Sequence, residues 1–320
     1  MNFEPTEDQN AFLGAVQRIA DRHRSQSLNG ERFQYSPMLQ ADLSDAGLFD
    51  CLGVEELGGV AAAEMVIALS QLPVCAEVAA STLVGPWLCP ELPGPYAMLW
   101  GAERTARFLP EARTLLHVDA EGVQALALQP GDSTPVDSIF AYPMGVLREL
   151  PDAAWMSVVG ADLARLHQCW RVGVAAEICG CLLAGLKSVV EHVTHRRQFG
   201  RPLGSFQALQ HRLAECATLV QSARWLTLKA AETGHAGDAS LAAGYAQDMA
   251  RKVAYDLHQF MGAMGLTLEH PLHRWTYRTK LLSNDLGGWQ RQYAAAARQA
   301  WPTRHPDKTQ THHDIEGATA

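Results

Sequence analysis

The chain has 320 residues, 48% of them hydrophobic and 19% charged, and 26 lysines and arginines against 34 aspartates and glutamates leave a formal net charge of -8. That is the composition of a globular protein with a sizeable core and room for two or three sub-domains. An acidic balance argues against nucleic acid as a partner. No apolar run reaches the roughly 20 residues needed to span a bilayer, and Met1-Asn2-Phe3-Glu4-Pro5 lacks the basic and apolar parts of a secretory signal, so a cytoplasmic protein with no membrane partner is expected.

Residues 1–100 are expected to form an N-terminal helical domain. Thr6 with Gln9 three positions on makes a capping box, and Phe12, Leu13, Val16, Ile19 and Ala20 follow at helical spacing. A second periodic segment runs through Met38, Leu39, Leu43, Ala46 and Leu48. The break Leu57-Gly58-Gly59 leads into a third, Ala62 to Leu72.

Over residues 101–160 the texture changes to a small strand-rich insert. The runs Leu115–Val118, Val123–Leu128 and Ser138–Ala141 alternate with Pro, Gly and Asp, the pattern of short strands and turns.

From Ala161 the chain reads as helical again, and residues 161–302 are expected to close a four-helix bundle. One helix runs from Leu163 to His195. A second carries Phe206, Leu209, Leu213, Ala217, Val220, Ala223, Leu226 and Ala230, and a third Leu241, Tyr245, Met249, Val253, Leu257, Phe260 and Met264. Steps of three and four put one apolar stripe on each, as antiparallel neighbours require, and Leu272 to Ala300 would be the last member. Residues 303–320 are polar and aperiodic, the composition of a disordered tail. Seven cysteines are scattered among apolar neighbours, and Cys179-Gly180-Cys181 has neither the spacing nor the histidines of a zinc site, so no metal is expected.

The most informative stretch is Arg196 to Ala208, where a guanidinium, an amide and an aromatic ring meet at a helix junction. Arginine offers a planar fork suited to phosphate, glutamine a donor and an acceptor, and phenylalanine a flat face for a heterocycle. The run Arg196 to Leu213, Gln259, Gly262, Ala263 and Gly265 ahead of Glu269-His270-Pro271, and the turn Gly53 to Gly59 stand in the order found in the acyl-CoA dehydrogenase family of flavoproteins, which the chain resembles over nearly its whole length. The resemblance implies a mainly α fold with a small β insert, and an FAD shared between neighbouring subunits. Arg196, Gln198 and Phe199 would meet its pyrophosphate and adenine side, and Gln259, Gly262, Ala263 and Gly265 would let backbone approach it. Ala263, where the family has glycine, crowds that approach slightly.

The family's reaction, desaturation of an acyl-CoA thioester followed by electron transfer to an acceptor, needs a carboxylate for the α-proton. At the family's usual station this chain reads Asp285-Leu286-Gly287-Gly288, with leucine in the acid's place; at a second station used by some relatives it reads Trp170-Arg171. Glu177 is the candidate that remains, two helical turns beyond Trp170 and inside Val174-Ala175-Ala176-Glu177-Ile178-Cys179, where a carboxylate is a costly spectator and a useful base. Its alternative is a hydrogen bond to a neighbouring helix; Asp285, one residue early and shorter, is a minor candidate, and Glu269 serves a turn. Residues 101–160 contain neither the family's flavin-covering loop nor its Trp-bearing strand, and are too few for its full middle domain. The resemblance therefore implies a subunit of a heteromeric enzyme, like those shortening steroid side chains, whose homologous partner completes the site; the alternative is a catalytically inactive scaffold or regulatory subunit.

Overall fold

The structure is a computed structural model that describes residues 4–24, 31–149 and 154–301. The expected tail, 303–320, lies outside the described residues. Helix α1 (Glu7–Arg24) begins with the capping box that the sequence announces: the Thr6 N–H donates to Gln9 Oε1 at 3.1 Å and the Gln9 N–H to Thr6 Oγ1 at 3.2 Å. Its stripe of Val16, Ile19 and Ala20 is buried. Helices α2 (Pro37–Asp45), α3 (Gly58–Ser70), α4 (Ala79–Leu83) and α5 (Gly85–Leu88) complete the N-terminal part. Ser36 caps α2 through Leu39 N–H, and Leu39 and Leu43 are buried, while Met38 faces outward at 70% exposure.

Strands β1 (Tyr96–Trp100), β2 (Thr105–Arg107), β3 (Thr114–Val118), β4 (Val123–Ala127), β5 (Ser133–Val136), β6 (Met144–Leu147) and β7 (Met156–Ser157) form the insert. One sheet has the order β1-β3-β4-β7, with β1 parallel to β3 and the remaining pairs antiparallel; the other is the antiparallel β2-β6-β5. Two expectations are corrected. The sheet begins at Tyr96, inside the stretch read as helical, because Tyr96 to Leu99 is buried on both faces between β3 and the N-terminal helices. The run Ser138–Ala141 is not a strand: Phe140 N–H donates to Ser138 Oγ at 3.1 Å in a local turn that delivers Ala141 and Tyr142 to the core.

The bundle is built on α6 (Leu163–His195), whose bounds agree with the sequence reading; Asp162 caps it through the Arg165 N–H at 2.9 Å. Among the described residues it is the one helix long and apolar enough to cross a membrane, and α3, α7 (Gln207–Thr233), α8 (Ala236–Met261) and α9 (Leu272–Leu282) pack over it instead. A side chain at Gly180 would run into the Ile67 carbonyl, so the close crossing of α6 on α3 depends on that glycine. Between α6 and α7 the chain forms a ribbon of β8 (Arg197–Gln198) and β9 (Arg201–Pro202).

The last expected bundle helix is two helices, α9 and α10 (Gly288–Ala300). Leu286, Gly287 and Gly288 have φ of 53°, 84° and 73°, and three successive left-handed residues cannot continue a right-handed helix. Arg278 on α9 then ties the three parts together: fully buried, it donates to the Leu72 carbonyl at 2.9 Å, to Pro73 at 3.0 Å and to Ala141 at 3.3 Å. The strand insert is thereby held over the lower half of the bundle, and a cavity lies at the junction.

Candidate functional site

The cavity, of about 210 Å³, is walled by Met98 and Trp100 of β1, Phe108, Met144, Trp170 of α6 and Leu281 of α9. Its polar wall includes Arg107, brought in by β2, Asp285, brought in by the turn after α9, and Glu77 and Glu103. The Trp170 indole N–H donates to Asp285 Oδ1 at 3.3 Å. Burial pushes the Asp285 carboxyl up to about 6, against the pull of the Arg107 charge across the cavity.

Behind the wall, Arg107 Nη1 donates to Glu177 Oε1 at 2.7 Å and Nη2 lies 2.6 Å from Oε2, a two-pronged ion pair with both side chains buried. The Tyr142 hydroxyl donates to the same carboxylate at 3.4 Å. The guanidinium carbon sits 5.1 Å from the ring centroids of both Tyr142 and Trp170 and 5.7 Å from that of Phe108. Burial works against the Arg107 charge, and Glu177 and then Tyr142 more than offset it, so its pKa is raised. Glu177, the candidate base of the sequence reading, is thus engaged by Arg107 of β2 and does not line the cavity. Glu77 does line it, but its oxygens accept from the N–H groups of Ala80 and Ser81 at 2.8 Å each and from Ser81 Oγ at 2.5 Å, capping α4.

Trp100, Glu103 and Asn284 also border an adjoining cleft of about 480 Å³ that carries Arg171, Arg291 and Arg298. Among the described residues none of these three guanidinia has an ion-pair partner, and Glu103 is the one carboxylate in the lining. Arg171 donates to Gln292 Oε1 at 2.7 Å, and burial pulls its pKa down. Arg171 is half-buried and Arg291 and Arg298 are exposed, and together the three guanidinia give the cleft a positive lining.

The residues singled out for a cofactor lie elsewhere. Arg196 ends α6, Gln198 is in β8, and Phe199, at φ 54° and 86% exposed, stands edge-on to Phe206 at 6.1 Å. Gln259 is exposed in the last turn of α8, Gly262 ends that helix at φ 66°, Ala263 is exposed, and Gly265 is buried where a side chain would meet Met261 Cβ at 2.9 Å. Both groups share one end of the bundle, where Ser188 of α6 and His270 ahead of α9 are hydrogen-bonded at 3.1 Å. Sequence reasoning missed Arg107, Tyr142 and the arginine cleft; Arg107 pairs across 70 positions, and no local pattern announces such a partner.

Residues 165–299 match the family model described as acyl-CoA dehydrogenase, C-terminal domain. An acyl-CoA dehydrogenase of Bacillus subtilis is 36% identical over 109 residues, 32% of this chain and 29% of that protein's length. By structure, the ChsE4-ChsE5 complex of Mycobacterium tuberculosis is similar at a TM-score of 0.77 and 20% identity, over 95% of this chain and 100% of that one. A steroid acyl-CoA dehydrogenase, the Tcur3481-Tcur3483 G363A variant, is similar at 0.72 and 22% identity, over 92% and 98%. The fold is that of acyl-CoA dehydrogenases, mostly helical with small sheets, and one solved structure similar to it, at a TM-score of 0.69 and 17% identity over 94% of this chain and 99% of that one, is an FAD complex of PigA.

Proposed function

We propose that this chain is one subunit of an FAD-dependent acyl-CoA dehydrogenase that works beside a homologous subunit, desaturating the α,β bond of an acyl-CoA thioester whose acyl group is bulky, of the steroid side-chain class. The observation that carries this reading is the separation of two half-sites. Arg196 follows Trp170 by 26 positions on one continuous helix, about 39 Å at 1.5 Å per residue. The exposed Arg196–Phe199 segment and the partly exposed Gln259–Gly265 segment cannot reach the chain's own cavity, whereas across an interface each chain's bundle end can serve its neighbour's cavity.

The residues present fit FAD. The three unpaired arginines of the cleft suit its phosphates, the adjoining cavity offers aromatic walls to its ring system, and a neighbour's Arg196, Gln198, Phe199 and Gln259 suit the adenine half. FAD supplies the oxidant for removal of the β-hydrogen with its electron pair, and an electron-transfer acceptor reoxidises it. Arg107, held charged by Glu177, presents a fixed cation at the cavity wall, and the indoles of Trp100 and Trp170 exclude water. The steroid class is supported by the Tcur3481-Tcur3483 likeness.

Co-expression with a homologous subunit tests the reading. A yellow complex that bleaches on addition of a steroid acyl-CoA and passes electrons to a dye is expected, with the separate chain colourless; a colourless complex inert to every acyl-CoA tried refutes it.

A further inference from the structure

We propose that Asp285 is the group that accepts the α-proton of the thioester, aimed by the Trp170 indole; this inference rests on the reading above. The two stations at which the sequence finds no acid, Trp170 and Leu286, lie far apart in the chain, and Trp170 and the residue before Leu286 meet at one cavity. The backbone decides which side chain faces it. With φ 53° and ψ 27°, Leu286 is turned left-handed and packs against the core, bordering the arginine cleft rather than the cavity. The residue before it is the one presented to the cavity. A left-handed leucine costs about 1–2 kcal/mol over a right-handed one, a strain of the kind that surrounds functional positions.

The rival carboxylates are occupied or misplaced. Glu77 spends both oxygens on the head of α4, Glu177 is locked to Arg107, and Glu103 is exposed at the rim. Asp285 keeps Oδ1 on the Trp170 N–H, and Oδ2 accepts no hydrogen bond among the described residues. The charged groups facing it are Arg107 from β2, Glu103 from the β1–β2 turn, Glu177 from α6 and Glu77 at the start of α4; burial outweighs Arg107 and brings the carboxyl to about 6, within the range useful to a base at neutral pH. In the step itself the α C–H bond breaks, its proton goes to Oδ2 and its electron pair becomes the α,β double bond. The β-hydrogen would leave with its own pair, and a bound FAD would supply the two-electron oxidant that takes it.

The test is Asp285→Asn, which keeps an oxygen for the Trp170 N–H and removes the base. In the holo-complex kcat should fall about 100-fold or more with flavin content unchanged and the unfolding midpoint no lower than that of the wild type, and the fall of kcat/KM below about pH 6 should vanish. A readout without turnover is the emission of Trp170 in the cofactor-free full chain, taken as the difference from Trp170→Phe: it should titrate near pH 6 and not in Asp285→Asn. Undiminished turnover in the variant, or a Trp170 signal flat through pH 6, overturns the proposal. A wild-type complex that binds no flavin sinks the enzymatic reading, and the proton acceptor with it, while the titration still reports the Trp170–Asp285 contact.

Discussion

Replacing Glu177 with leucine leaves the Arg107 guanidinium, with 9% of its side chain exposed, facing an apolar group where two oxygens stood 2.6 and 2.7 Å away. Breaking a buried pair from one side costs about 3–5 kcal/mol, because the surviving charge has lost both water and partner. Against a total stability of about 5–15 kcal/mol that is a large fraction, and urea unfolding of the full chain should show it as a lower midpoint at unchanged slope. The double variant Arg107→Met, Glu177→Leu removes both charges and keeps the volume. It should recover most of the loss, since apolar replacement of a whole buried pair is near neutral. Glu177→Gln retains one acceptor for the guanidinium and should fall between. A cost under about 1 kcal/mol for Glu177→Leu, or no recovery in the double variant, would refute the assignment of Glu177 as the anchor of Arg107. Abolished turnover in Glu177→Gln at full stability would restore the base role that its sequence context suggested.

Three other outcomes follow from the same geometry. Gly180→Ala drives a methyl into the Ile67 carbonyl where α6 crosses α3, and should destabilise by about 1–3 kcal/mol in the same unfolding assay. Asp285→Asn should stabilise at pH 8 and not at pH 4: the folded carboxyl titrates near 6 and the unfolded one near its usual 3.8, so the wild type loses stability as pH rises through that window, by up to about 3 kcal/mol at 1.36 kcal/mol per pKa unit, and the amide does not. Arg196→Ala and Phe199→Ala, both at exposed positions, should leave the unfolding midpoint of the separate chain within about 0.5 kcal/mol of wild type and lower the flavin retained by the complex on gel filtration.

Much of the fold was legible because its signals are local. The Thr6–Gln9 box acts within one helical turn, and the structure repeats it, as it does the extent of the helix read over Leu163 to His195. The errors fall where tertiary context overrides local pattern. Tyr96–Trp100 is a strand because β3 lies beside it, and Ser138–Ala141 is a bend because Arg278, over a hundred positions later, takes the Ala141 carbonyl. The break between α9 and α10 had a partial signal in Gly287-Gly288, masked by Leu286, a residue seldom found left-handed.

The site was harder to read for a related reason: motif spacing names stations along a chain, and chemistry depends on what converges in space. Two stations were found empty of acid, which left Glu177 by elimination. In three dimensions Glu177 faces Arg107, which no motif contains, and the turn at Leu286 shifts the cavity-facing position back by one residue. Asp285 also carries the features that a spectator would shed. It pays a burial penalty with no salt bridge among the described residues to offset it, beside a strained leucine and two left-handed glycines. An asparagine there would remove the penalty and keep the Trp170 hydrogen bond, so the proposed proton acceptor is held at a cost in stability.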